Sequence, residues 1–311
     1  MADSDIGERR TGPCALLTAL VVLVLAAGAC GSGDERVLDQ VVVPAPTAEP
    51  VPGDPPEPSP QATTGLEFAI GHRLDVVGAG APGSDLPVVV VLRPSDHTDL
   101  GRFLPTLAAT GVVVFDAPWR PTEQGGRYPT VMEEASCAVG YARDHAAAFG
   151  GDPTSITLVA HSAGSYIAAL AGFAAYDGDC TSSADLPDRM VGIAGIYQAL
   201  TPEERQEQDA GIAALVGGAI EDHPDEYADL QLGNHLGENP TLRIMLIHGD
   251  DDEIVPVAQT TAWHERLVDA GYEVDVHVIE GGDHTSVLVD EVDAAAVASW
   301  IRDFADPAQH M

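Results

Sequence analysis

One stretch, Thr157-Leu-Val-Ala-His-Ser-Ala-Gly-Ser165, constrains this chain more than any other. An apolar run from Ile156 to Ala160 breaks at a serine flanked by small residues, then restarts as a small-residue helix from Ser165 to Ala175. The pattern reads as strand, sharp turn and helix, with Ser162 at the apex. Ala160 and Gly164 stand two before and two after the serine, where strand and helix backbones nearly touch and only small residues fit. Such an elbow lifts one hydroxyl clear of a sheet and lets a base from another segment reach it. A short serine-containing turn also arises by chance, so the motif gains meaning only if an acid and a histidine accompany it.

From Gly65 onward the chain alternates apolar strands with amphipathic helices. Leu74 to Val77, Val88 to Leu92, Val112 to Phe115, Ile156 to Ala160, Met190 to Ile196, Leu242 to Ile247 and Val274 to Ile279 read as strands. Helices are predicted over Leu100 to Thr110, from Pro129 to the turn signal Phe149-Gly-Gly-Asp-Pro153, over Val257 to Ala270 and over Val289 to Phe304. Near-continuous apolar strands alternating with helices predict an α/β fold, a mostly parallel sheet covered on both faces. A polar, acidic stretch between Tyr197 and Pro240 interrupts the rhythm, with a short apolar segment from Gly211 to Ile220. It reads as an insertion at residues 198–240, either part of a substrate lid or a surface excursion.

Two later strands end in chemistry. In Leu246-Ile-His-Gly-Asp-Asp-Asp-Glu-Ile-Val-Pro256 three aspartates follow a buried strand. An acid there faces the same sheet edge as the elbow and can orient a histidine and stabilise its imidazolium. Asp252 is preferred, with Asp250 the alternative. In Ile279-Glu-Gly-Gly-Asp-His284 two glycines permit a tight turn that leaves His284 on a loop after the last strand. His161, beside the serine, reads as a packing residue, because the base has to approach from a different segment. The chain order Ser162, Asp252, His284 is that of α/β-hydrolases.

Phe149-Gly-Gly-Asp-Pro-Thr-Ser-Ile-Thr-Leu-Val-Ala-His-Ser-Ala-Gly164 resembles the segment leading into the nucleophile of carboxylesterases of the α/β-hydrolase superfamily. The branch it resembles includes feruloyl-esterase-like enzymes and relatives of hormone-sensitive lipase. His248-Gly to Pro256 is similar to that branch's acid loop, which places the acid on Asp252, and Gly282-Asp-His284 is similar to its histidine loop. The resemblance covers roughly Gly71 to Ala305. It implies an ester hydrolase that needs no metal or organic cofactor and takes a small-molecule ester. One departure stands out. Those esterases carry His-Gly-Gly after the strand equivalent to Val88–Leu92, and its backbone N–H groups form half of the oxyanion hole. Here the sequence is Leu92-Arg-Pro-Ser-Asp96, and Pro94 has no N–H to donate. Ala163 N–H is expected to supply one bond to the oxyanion. The second is assigned to Ser95, with Arg93's backbone or a side chain as alternatives. A prolyl-oligopeptidase-like serine peptidase and a non-catalytic binding lipoprotein on the same fold are the competing functional readings.

The chain's start carries a different message. Arg9 and Arg10 precede an apolar run, Ala15 to Ala27, that ends in Ala27-Gly-Ala-Cys30-Gly. A positive region, a short apolar region and small residues before a cysteine look like a bacterial lipoprotein signal, too short for a comfortable membrane span. The expectation is a signal over residues 1–29, with lipidated Cys30 holding the protein at the extracytoplasmic membrane face. Plain secretion is the alternative. Residues 30–64 carry eight prolines between Pro44 and Pro60 and read as an extended tether; the catalytic domain is set at 65–311. Cys137 and Cys180 remain as an even pair in an exported domain, which favours a disulfide over two free thiols. The formal net charge is −35, and all 14 basic residues are Arg. That balance argues against nucleic acid or an anionic membrane surface as a partner, so membrane contact is expected only through the lipid.

Overall fold

The computed structural model describes residues 62–95 and 99–310, so Cys30, the expected signal over residues 1–29 and nearly all of the expected tether lie outside the described residues. Among the described residues, eight strands form one sheet: β1 (Thr63–Ala69), β2 (His72–Val77), β3 (Leu86–Pro94), β4 (Val113–Trp119), β5 (Gly151–His161), β6 (Arg189–Ile193), β7 (Arg243–Gly249) and β8 (Val274–Ile279). Their spatial order is β1-β2-β4-β3-β5-β6-β7-β8. The first two strands pair antiparallel, as do β2 and β4, and every other neighbour is parallel.

The parallel strands are apolar throughout because both of their faces are covered. On β3, Val88, Val90 and Leu92 face one core, with α2 (Thr130–His145), α3 (Ala163–Phe173) and α6 (Ala258–Asp269). Val89 and Val91 face the other, with α1 (Asp99–Ala109), α7 (Ser286–Val289) and α8 (Glu291–Ala305). All five residues from Val88 to Leu92 are buried, which fits a central strand of a doubly covered sheet.

Four local features differ from the sequence reading. The strand β1, in Thr-Thr-Gly-Leu-Glu-Phe-Ala, lacks a clean alternation and owes its conformation to pairing with β2. β6 stops at Ile193 rather than Ile196, because Ala194 turns to φ +47° while its N–H still donates to Ile247 O. The last helix is divided: Asp290 accepts from the N–H groups of Val292 and Asp293, capping α8 and ending α7 before it. The first part of the insertion's apolar segment, Gly211 to Val216, belongs to a longer helix, α4 (Pro202–Val216), that Thr201 caps by accepting from Glu204 N–H and that ends at Gly217.

The insertion continues through α5 (Pro224–Asp229) and is fastened to the body. The hydroxyls of Tyr128 and Tyr176 both donate to Asp229 Oδ2, at 2.8 and 3.0 Å, and Tyr166 donates to Leu230 O. Burial and the Asp229 carboxylate push Tyr128 up to about 12, so its hydroxyl stays a donor. Cys137 on α2 and Cys180 beyond α3 form a disulfide, with Cα atoms 5.2 Å apart, matching the expected pairing. Cys180 also bridges to Ala69 of β1, so the bond joins a helix to the antiparallel end of the sheet.

Candidate active site

Ser162 sits where β5 becomes α3. Its backbone takes φ +56°, ψ −130°, a conformation that L-residues rarely adopt and that the surroundings must enforce. The enforcing contacts are its N–H donating to Ile193 O at 2.9 Å and the start of α3 at the next residue. A methyl group at Gly164 would meet Ala160 Cβ at 3.4 Å and Leu92 O at 3.5 Å, which shows how closely helix and strands approach here.

His284 reaches the serine from the loop after β8. Ser162 Oγ lies 3.0 Å from His284 Nε2, and His284 Nδ1 lies 2.8 Å from Asp252 Oδ2. The carboxylate accepts only, so Nδ1 carries the hydrogen and Nε2 is left to accept from the serine hydroxyl. Asp252 comes from the loop after β7. Its Oδ1 accepts from the N–H groups of Ile254 and Val255 at 2.9 and 2.8 Å, and its side chain is fully buried. Burial alone pushes this carboxyl up. Hydrogen bonds from His248, His284 and Val255 N–H outweigh that and hold it below the usual carboxylate range. The acid therefore remains ionised beside the imidazole.

The three loops are joined by backbone contacts. Asp250 N–H donates to Ile279 O and Asp251 N–H to Gly282 O, at 3.1 and 3.0 Å. Gly249 makes this possible: any Cβ there would stand 2.0 Å from Gly282 O. His161 Nε2 donates to the backbone oxygen of His284 at 2.7 Å, and the two rings lie 4.7 Å apart. That is a packing and tethering role, as the sequence suggested. Asp250, the alternative acid, instead accepts from Gly281 N–H at 2.6 Å and is exposed.

Ala163 opens α3 and is exposed, so its N–H is among the helix donors that lack an intrahelical acceptor. Ser95 does not fill the second oxyanion position assigned to it. Its N–H donates to Trp119 O at 2.9 Å, continuing the β3–β4 pairing, and its Oγ donates to Gln124 Oε1 at 2.6 Å. The Arg93 side chain is likewise engaged, with Nε 2.6 Å from Asp116 Oδ1. Sequence reasoning missed His248, which is buried behind the acid; its position four residues before Asp252 was the available signal. A cavity of about 560 Å³ lies apart from these residues, lined by His72, Arg120, Glu133, Glu134 and Asp179 among others and by none of Ser162, Asp252 and His284.

Comparison with known proteins extends this picture. Esterase LipC of Mycobacterium tuberculosis is 32% identical over 174 residues, covering 53% of this chain and 42% of the relative. Esterase LipQ of the same organism is 27% identical over 185 residues, covering 57% and 44%. The chain thus spans less than half the length of these two relatives. Among solved structures, a truncated carbohydrate esterase from gut microbiota matches with a TM-score of 0.63 at 19% identity, covering 81% of this chain and 99% of that one. The butyrate-bound esterase Est2 of Thermogutta terrifontis matches with a TM-score of 0.59 at 18% identity, covering 79% and 93%. These structural matches share the α/β-hydrolase fold. The family model BD-FAE matches residues 94–267, more than half of the chain, from the end of β3 through the elbow and acid loop into α6, and the chain belongs to the BD-FAE family.

Proposed function

We propose that the protein is a serine hydrolase of carboxylic esters, with Ser162 as nucleophile, His284 as general base and acid, and Asp252 as the orienting carboxylate. The observation that carries this reading is the continuous chain of hydrogen bonds from Ser162 Oγ through His284 to Asp252, at 3.0 and 2.8 Å. His284 Nε2 takes the hydroxyl proton as Ser162 Oγ attacks the ester carbonyl carbon. The carbonyl oxygen becomes an oxyanion that Ala163 N–H stabilises at the positive end of α3. As the tetrahedral intermediate collapses, the C–O bond to the alcohol breaks and His284 gives the proton to the leaving oxygen. Water then attacks the acyl-enzyme carbonyl and loses its proton to His284. Breakdown of this second intermediate returns that proton to Ser162 and releases the carboxylic acid. Throughout, Asp252 remains ionised and steadies the imidazolium.

Short acyl esters are the natural first substrates, since the Est2 structure to which the fold is similar holds butyrate. The test is a panel of p-nitrophenyl esters of increasing acyl length, run with Ser162→Ala and Asp252→Asn. Ser162→Ala should abolish turnover, and Asp252→Asn should lower kcat by about 10⁴-fold, because the amide favours the wrong imidazole tautomer. Unchanged hydrolysis in Ser162→Ala would remove the proposal. Equal activity of Asp252→Asn and the native protein would remove the acid assignment.

A further inference from the structure

We infer that His248, near the end of β7, is a positioning residue for Asp252, so that one carboxylate serves two histidines. This deepens the esterase reading and rests on it. His248 is fully buried, and its Nε2 lies 2.8 Å from Val255 O and 3.2 Å from Asp252 Oδ2. Both neighbours only accept, so Nε2 carries the hydrogen, which it gives to Val255 O while standing close to Oδ2. On the other side of the ring, Nδ1 lies 2.7 Å from Thr260 Oγ1. His248 is thereby held between the acid loop and α6.

Its second acceptor, Oδ2, is the same oxygen that receives Nδ1–H of His284. Around this one carboxylate, two backbone N–H groups donate to Oδ1, His284 Nδ1 donates to Oδ2, and His248 Nε2 stands 3.2 Å from the same Oδ2. The backbone pair fixes one oxygen, and His248 fixes the rotation that aims the other at His284. His248 also draws charge from the oxygen that faces the base. Without it, Oδ2 would attract the His284 proton more strongly and stabilise the imidazolium.

The other titratable groups around this pair are already committed. His161, from β5, holds the His284 backbone oxygen. Asp283 turns its carboxylate to the N–H groups of Thr285 and Ser286. Asp250 accepts from Gly281 N–H, while Asp251 and Glu253 are exposed. Contacts with Val255 and Thr260 alone would make His248 a staple of the loop. The approach to Oδ2 predicts in addition an effect on proton transfer, and only the latter moves a pH profile.

The experiment compares His248→Leu and His248→Gln in the full chain, following ester hydrolysis across pH together with thermal unfolding. His248→Leu should lower kcat/KM by about 10- to 100-fold, the range seen when outer hydrogen-bond partners of a working group are removed. The acid limb of its profile should move up by about one pH unit. His248→Gln, whose amide N–H reaches the same oxygen, should recover most of the rate and return the limb. If the Leu variant does not fold, Thr260→Val serves instead: it removes the hydrogen bond that holds the imidazole in place from α6, and the same upward shift is expected. An unmoved limb in the folded variant, or a Gln variant as impaired as Leu, overturns the inference. Ser162→Ala separates the two levels, since its retained activity would sink the esterase reading itself.

Discussion

Ser162 is held in a conformation that costs about 1–3 kcal/mol for a residue with a Cβ. That cost is offset by the hydrogen bond from its N–H to Ile193 O and by the helix that begins directly after it. Glycine adopts positive φ without this penalty. Replacing the serine by glycine or by alanine removes the same hydroxyl, but only alanine keeps the strain. Ser162→Gly should therefore unfold with a free energy about 1 kcal/mol higher than Ser162→Ala, both being inactive. Denaturant titration of the pair measures this, and coincident curves would mean that the elbow stores no strain at this residue. At this scale the sequence is legible where a side chain stands just past its own strand end, as those of Ser162, Asp252 and His284 do. Ser95 misleads because the partner of its N–H, Trp119 O, comes from a strand 24 residues downstream in sequence and adjacent only in the sheet. His248 reads in sequence as no more than the end of a strand, since its contact with Asp252 depends on how the following loop folds back.

At the level of elements, the parallel strands are readable from their unbroken apolar runs, whereas β1 is not, being defined by its pairing with β2. Helix α4 carries a legible start in Thr201-Pro-Glu-Glu204, but its weakly patterned surface hides the length of the helix. The disulfide is the covalent counterpart of these contacts. It closes a loop of 43 residues that contains β5 and α3, and so narrows the unfolded chain's range of conformations around Ser162. A native bond of this kind contributes about 2–4 kcal/mol. Cys137→Ser combined with Cys180→Ser should lower the unfolding free energy by that amount, and reductant should reproduce the loss in the native protein. Equal midpoints with and without reductant would show that the bond does not constrain the unfolded chain as described.

For the whole molecule, charge matters most after packing. With 49 acidic and 14 basic residues the chain repels itself at neutral pH. Salt screens that repulsion, the Debye length falling from about 30 Å at 0.01 M to about 3 Å at 1 M. Salt also weakens exposed ion pairs such as Arg302–Asp303, but each of those is worth at most about 1 kcal/mol. Repulsion wins, so the melting temperature should rise by at least about 2–4 °C between 0.01 and 1 M NaCl, equivalent to about 1 kcal/mol. A flat or falling melting temperature in a salt series would show that the ion pairs outweigh the net charge.

The backbone links between the three loops have a consequence for the order of events in a catalytic cycle. Asp250 and Asp251 are bonded to the turn that carries His284, and His161 is bonded to His284 itself. The relay from acid to serine is therefore closed before any substrate arrives. On the proposed mechanism, His284 and Asp252 need no rearrangement to engage Ser162. A substrate would then meet a serine whose proton acceptor is already in place.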